Sequence, residues 1–241
     1  MRRHVLSSTI VVGLLAGACG DNSPTIPTGP TSSVATSTTV ATSTTVATTT
    51  TVATTTTSLP AEAEQAVWPF VAGDRYATPE DAVRTFAVEY LDYTDPALGE
   101  FAAGDNRSGE IEVRAGPGLA AFTTVLVRQF ADDTWWILGA STPDIVSISP
   151  APGATVGSPV TLEGESRAFE ANVNVDIRVA GSTASIASGF VMGGGFDGLA
   201  PYSKAFDFAA GDADRGVIVL RVLSPKDGGA ESATIIPVQF G

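Results

Sequence analysis

Apolar residues fall at every second position through much of the last two fifths of this 241-residue chain, a period that fits strands and excludes helices. Val173, Val175, Ile177 and Val179 line one face of such a strand, while Asn174, Asp176 and Arg178 line the other. Runs of this kind are read near 145–149, 160–166, 172–180, 185–191, 202–208, 217–223 and 234–240. Turn chemistry separates them, in Pro150-Ala151-Pro152-Gly153, Gly211-Asp212-Ala213-Asp214 and Asp227-Gly228-Gly229. Short strands in this number bury their apolar faces by packing as two sheets.

The spacing predicts an all-β immunoglobulin-like sandwich over 144–241. This stretch holds neither cysteine nor tryptophan, so it lacks the disulfide framework of antibody domains. Upstream, the pattern changes. Thr78-Pro79-Glu80-Asp81 reads as a helix start, with a capping hydroxyl, proline at the first helical position and acids in the first turn. Ala82, Val83, Phe86, Ala87, Tyr90 and Leu91 then make one apolar stripe, and Asp95-Pro96 marks the stop. Strands are expected near 109–115, 121–130 and 134–140, the last two joined through Asp132-Asp133. A helix laid across that small sheet is the simplest burial scheme, which predicts an α+β helix-on-sheet domain over 66–143.

The N-terminal quarter is of another kind. Arg2 and Arg3 precede a mostly apolar run from Val5 to Ala16, and Ala16-Gly17-Ala18 sets small side chains before Cys19, the chain's one cysteine. The order resembles a lipoprotein signal peptide over 1–18, with Ala16 where leucine is usual. The resemblance implies that Cys19 is lipidated and becomes the first mature residue. The apolar run is too short to span a bilayer, which takes about 20 residues. Between Cys19 and residue 65 a six-residue repeat stands out: Val34-Ala35-Thr36-Ser37-Thr38-Thr39 recurs from Val40, and with threonine throughout from Val46 and Val52. These repeats are uncharged and lack large side chains, so they cannot bury enough surface to offset ordering, and a disordered Thr-rich tether over 19–65 is expected. A coil of about 40 residues reaches about 35 Å.

Charge and composition exclude several functions. The net charge is −13, and loss of Arg2 and Arg3 with the leader makes it −15; only Lys204 and Lys226 are lysines. Such a surface repels phosphate backbones, so no nucleic-acid partner is expected. His4 is the only histidine and would leave with the leader, and an acylated Cys19 has no free thiol. Ser-His-Asp and Cys-His catalysis, ordinary zinc sites and disulfides are then all unavailable. Gly193-Gly194-Gly195-Phe196-Asp197-Gly198 matches a dinucleotide fingerprint by letter only, since no helix follows to hold a pyrophosphate. Asp212 and Asp214 fall short of the 6–8 oxygen ligands that calcium takes and read as a solvated turn. No cofactor or metal is expected.

Ile145-Val146-Ser147-Ile148-Ser149-Pro150, Val156-Gly157-Ser158-Pro159-Val160, Gly164 and Ala168-Phe169-Glu170-Ala171-Asn172-Val173 resemble the bacterial spore germination immunoglobulin-like domain. Gly216 to Pro225, Asp227-Gly228 and Ile236-Pro237-Val238 extend the likeness to the C-terminus. It implies an extracytoplasmic module for binding or assembly, with no catalytic residues. The expectation is therefore a non-enzymatic lipoprotein, anchored in the bacterial cell membrane through Cys19 and facing an envelope protein or polymer. The alternative is a small-molecule carrier or carboxylate-based hydrolase with a pocket in the α+β domain. Trp135 and Trp136, adjacent in a strand, must point to opposite faces, one under the helix and one outward or against the sandwich. Trp135, Trp136, Phe196 and Tyr202 are the candidate binding surface, while Phe169 reads as core and Glu170 as a local partner of the backbone or of Arg167.

Overall fold

A computed structural model describes residues 61–70 and 73–241. The leader, Cys19 and the threonine repeats lie outside the described residues.

The chain enters through a 3-10 helix, Ala61–Gln65, and then runs beside the sheet, where Trp68 bridges Ile137 and Tyr76 bridges Trp135. Helix α1 (Pro79–Glu89) starts as its sequence dictates: Asp81 N–H donates to Thr78 Oγ1 at 3.2 Å, and Pro79 opens the first turn. Its stripe of Ala82, Val83, Phe86 and Ala87 is fully buried. The strands that follow are β1 (Ala97–Leu98), β2 (Ala102–Ala103), β3 (Ser108–Arg114), β4 (Thr123–Gln129) and β5 (Trp135–Ser141), of which β3, β4 and β5 lie beneath the helix while β1 and β2 pair with β3. The sandwich follows with β6 (Ile145–Ser149), β7 (Thr155–Val156), β8 (Val160–Ser166), β9 (Asn172–Val179), β10 (Ser185–Met192), β11 (Ala200–Phe206), β12 (Arg215–Leu223) and β13 (Ala230–Phe240).

Two sheets carry these strands. The larger runs β1-β3-β4-β5-β13-β12-β9-β10, with β2 added on β3 and β7 on β13; the smaller runs β11-β8-β6. Strands of both halves thus share one sheet, joined where Ile235 of β13 lies opposite Ala140 of β5. The join explains the unbroken apolar runs in β12 and β13. Val217, Val219, Ala233 and Ile235 point into the core under α1, with Phe86, Ile111 and Val125. Ile218, Leu220, Ile236 and Val238 point the other way, into the sandwich core with Leu162, Val175 and Ile177. A strand buried on both faces has no reason to alternate polar with apolar.

The same layering corrects two local expectations. Arg178 belongs to the polar face of β9, yet it is buried, because that face continues beneath the end of α1; its guanidinium sits 4.9 Å from the Tyr90 ring centroid. Packing also begins upstream of residue 66. Ala63 and Ala66 cover Trp136 and Phe130, so the segment before Val67 is part of the core.

Candidate functional site

The four aromatic residues proposed as a surface are scattered. Trp136 is 1% exposed: its ring stacks on Phe130 with centroids 5.2 Å apart, Arg75 lies over it at 4.7 Å, and its Nε1–H donates to Thr134 Oγ1 at 2.8 Å. It occupies the sheet face away from α1, covered by the entering chain rather than by the sandwich. Trp135 is half-buried at the margin of the helix-side core, edge-on to Phe101 at 5.5 Å. Tyr202 is buried in the sandwich core, seated over Gly164, where a Cβ would come within 2.7 Å of its Cζ. Burial pushes its phenol pKa upward. Trp136 and Tyr202 are therefore interior residues and present no surface.

Phe196 is different. It is 70% exposed on the loop between β10 and β11, and Phe169, which reads as core in the sequence, is 42% exposed beside it with ring centroids 6.0 Å apart. Backbone bonds hold these two loops together. Gly194 N–H donates to Ser166 O at 2.7 Å, Ala168 N–H to Gly194 O at 3.0 Å and Gly193 N–H to Ala171 O at 3.0 Å. The approach is so close that a Cβ on Gly194 would strike the Gly198 carbonyl, which is the physical reason for the glycine run. Arg167 bonds Asp144 across the β5–β6 turn at 2.8 Å rather than Glu170. Glu170 and Ala171 adopt φ of 52° and 59°, a left-handed backbone that costs on the order of 1–3 kcal/mol per residue and is retained only where surroundings enforce it. The Phe-Glu-Ala-Asn motif thus builds a stiff corner that displays Phe169, a role its letters do not reveal.

A carrier or carboxylate enzyme needs a hollow with an acid inside it. The side chains that meet beneath α1, among them Val83, Phe86, Ile111 and Val125, are all sealed from solvent. The buried polar side chains of the described residues are Thr123, Thr142, Ser166, Arg178, Ser232 and Thr234, with no carboxylate among them. Depressions of about 310 and 390 Å³ lie at the periphery, one beside Glu64 and Arg215, the other beside Asp95 and Asp227. Among the described residues, no three of histidine, cysteine, aspartate and glutamate gather as a metal would require, and no helix is long and apolar enough to cross a membrane.

No curated protein and no solved structure matches the chain. A family model does match, and its span begins with β6 and stops one residue before β13, so it does not reach the Ile236-Pro237-Val238 segment to which the sequence reading extends the likeness. Residues 145–229, in the C-terminal half of this chain, match the family of immunoglobulin-like domains of bacterial spore germination.

Proposed function

We infer that the protein is a non-enzymatic recognition module, held at the outer face of the bacterial cell membrane by a lipid on Cys19 and presenting its folded part to an envelope protein or polymer. The matched domain is of a binding type and generally non-catalytic. The observation that carries the reading is the match of residues 145–229 to a domain of that type; the close-packed core under α1 leaves the surface of the described residues for contact. The leader and the uncharged repeats supply address and reach. Lipid attachment is needed for such an address because the net charge of −15 left after loss of the leader's Arg2 and Arg3 gives no attraction to anionic headgroups.

Two measurements test this. Replacing Cys19→Ser should move the protein from the membrane fraction to the soluble one, whereas continued membrane retention would overturn the anchor. Cross-linking on intact cells should then yield a discrete adduct with the wild-type chain and lose it with the untethered variant. Carboxylate-dependent hydrolytic turnover by purified protein would overturn the non-enzymatic reading.

A further inference from the structure

Strand β10 closes one end of the larger sheet and β11 closes one end of the smaller, so neither carries a strand on its outer side. A strand in that position invites pairing with another chain. The hazard is greatest for β10, whose eight residues include no charge and no proline. A register shift at Ser185–Ala187 breaks its start, which leaves Ser188 to Met192 as the regular edge, with Phe190 44% and Met192 53% exposed. Protection comes from the neighbouring strand. Tyr202, Lys204 and Phe206 share one face of β11; the two aromatic rings are buried, while Lys204 between them is exposed and leans across to β10. Its Nζ donates to the Phe190 carbonyl at 2.8 Å and lies 4.5 Å from the Phe190 ring centroid and 5.2 Å from that of Phe206. Phe206 in turn reaches Gly189, where a Cβ would come within 2.9 Å of its Cε1.

We propose that Lys204 guards this edge: by holding a positive charge on the Phe190 carbonyl, it keeps β10 of one copy from pairing antiparallel with β10 of a second copy. A strand laid against Ser188 to Met192 would have to expel the ammonium from these contacts or bury it, and burying it without a counter-charge is costly. A second copy is the partner to be excluded, because like strands meeting across a two-fold axis present the same uncharged residues to each other and close the interface at two chains. Repulsion between chains of net charge −15 opposes the same contact, but salt screens it, whereas a group seated on the edge acts at any ionic strength. Copies held on one membrane would meet often, and an unguarded edge would tie them up in pairs. The guard itself does not depend on that anchor, and its failure would leave the recognition reading untouched.

Sedimentation of residues 19–241, which contain every described residue, with Cys19→Ser to prevent acylation, reads the oligomeric state at low salt and at about 1 M salt, where the Debye length falls to about 3 Å. This parent chain should stay monomeric in both. Lys204→Thr, a change at an exposed position, should raise the association constant at high salt by about tenfold or more over the parent. Lys204→Met keeps an apolar stem over both rings without the charge and should dimerise likewise. Lys204→Arg keeps charge and donor and should stay monomeric. Adding Ser188→Lys, also at an exposed position, to Lys204→Thr returns a charge to β10 and should dissolve the dimer. A folded, monomeric Lys204→Thr or Lys204→Met at high salt would overturn the proposal and leave Lys204 a packing residue. So would dimerisation of the parent on adding salt, or a variant dimer that Ser188→Lys leaves intact.

Discussion

Asp176 neutralises two arginines at once. Arg221 Nη2 lies 2.5 Å from its Oδ2 and Arg178 Nη2 lies 3.4 Å from the same atom, while Arg221 Nη1 also reaches Asp92 at 3.0 Å. The Arg178 side chain is 5% exposed and that of Asp176 13%, so solvent screens little of this charge. Removing the shared acid by Asp176→Ala should cost about 3 kcal/mol in chemical denaturation, because the buried Arg178 guanidinium loses its counter-charge while Arg221 keeps only Asp92. Arg178→Met leaves the Arg221–Asp176 pair and an apolar stem over Tyr90, and should cost no more than about 2 kcal/mol. Equal losses would show that Asp176 is not the hub. At Gly164 the issue is space: a Cβ would collide with the Val146 carbonyl and meet Tyr202 Oη at 2.5 Å. Gly164→Ala should destabilise by about 1–3 kcal/mol, and Tyr202→Leu in the same chain should recover part of that loss. Neither role is legible in single letters. Asp176 and Arg178 read as an ordinary polar strand face, and only the position of α1 makes that face an interior.

At the scale of elements, periodicity is a reliable guide wherever a segment has one wet face. The capped helix begins at Pro79, and β6 and β8 occupy 145–149 and 160–166, as their alternation predicts. Where both faces are dry, the pattern loses information: β12 and β13 begin at Arg215 and Ala230, upstream of the expected 217 and 234. The entry segment shows another limit. Ala61–Gln65 has no periodic signal, yet Ala63 covers Trp136, and Ala66 N–H bonds Ala63 O at 3.2 Å. A fragment beginning at Ala66 should therefore be less stable than one beginning at Ala61, by about 1 kcal/mol. Its tryptophan fluorescence should shift to the red as Trp136 meets water. Identical spectra and melting would show that the 3-10 helix is dispensable.

For the whole molecule, the shared sheet decides what can be separated. Cutting the chain at residue 143 would bare Val217, Val219, Ala233 and Ile235 on one side of the sandwich. Each valine or isoleucine among these is worth about 1.5–3 kcal/mol when buried, so isolated 144–241 should self-associate in size-exclusion chromatography and bind a hydrophobic dye. A monomeric fragment that excludes the dye would mean the two halves fold apart. Alkali offers a second test. All four tyrosines resist ionisation through burial, and Tyr93, beside Thr123 Oγ1 at 2.8 Å, is pushed from 10.0 up to about 12. A folded value above the unfolded one stabilises below pH 10.0, and that stability drains away as pH rises toward about 12. Phenolate absorbance and unfolding should therefore rise together across that range, and free titration of every tyrosine near pH 10.0 in folded protein would refute it. The sequence by itself determined the local elements and the sandwich, because cap chemistry, turn residues and a two-residue period act over a few neighbours. Tertiary structure alone decided that the halves share one sheet, that Trp136 and Tyr202 are interior, and that Phe169 and Phe196 meet at the surface, because burial and strand order depend on which distant segments meet.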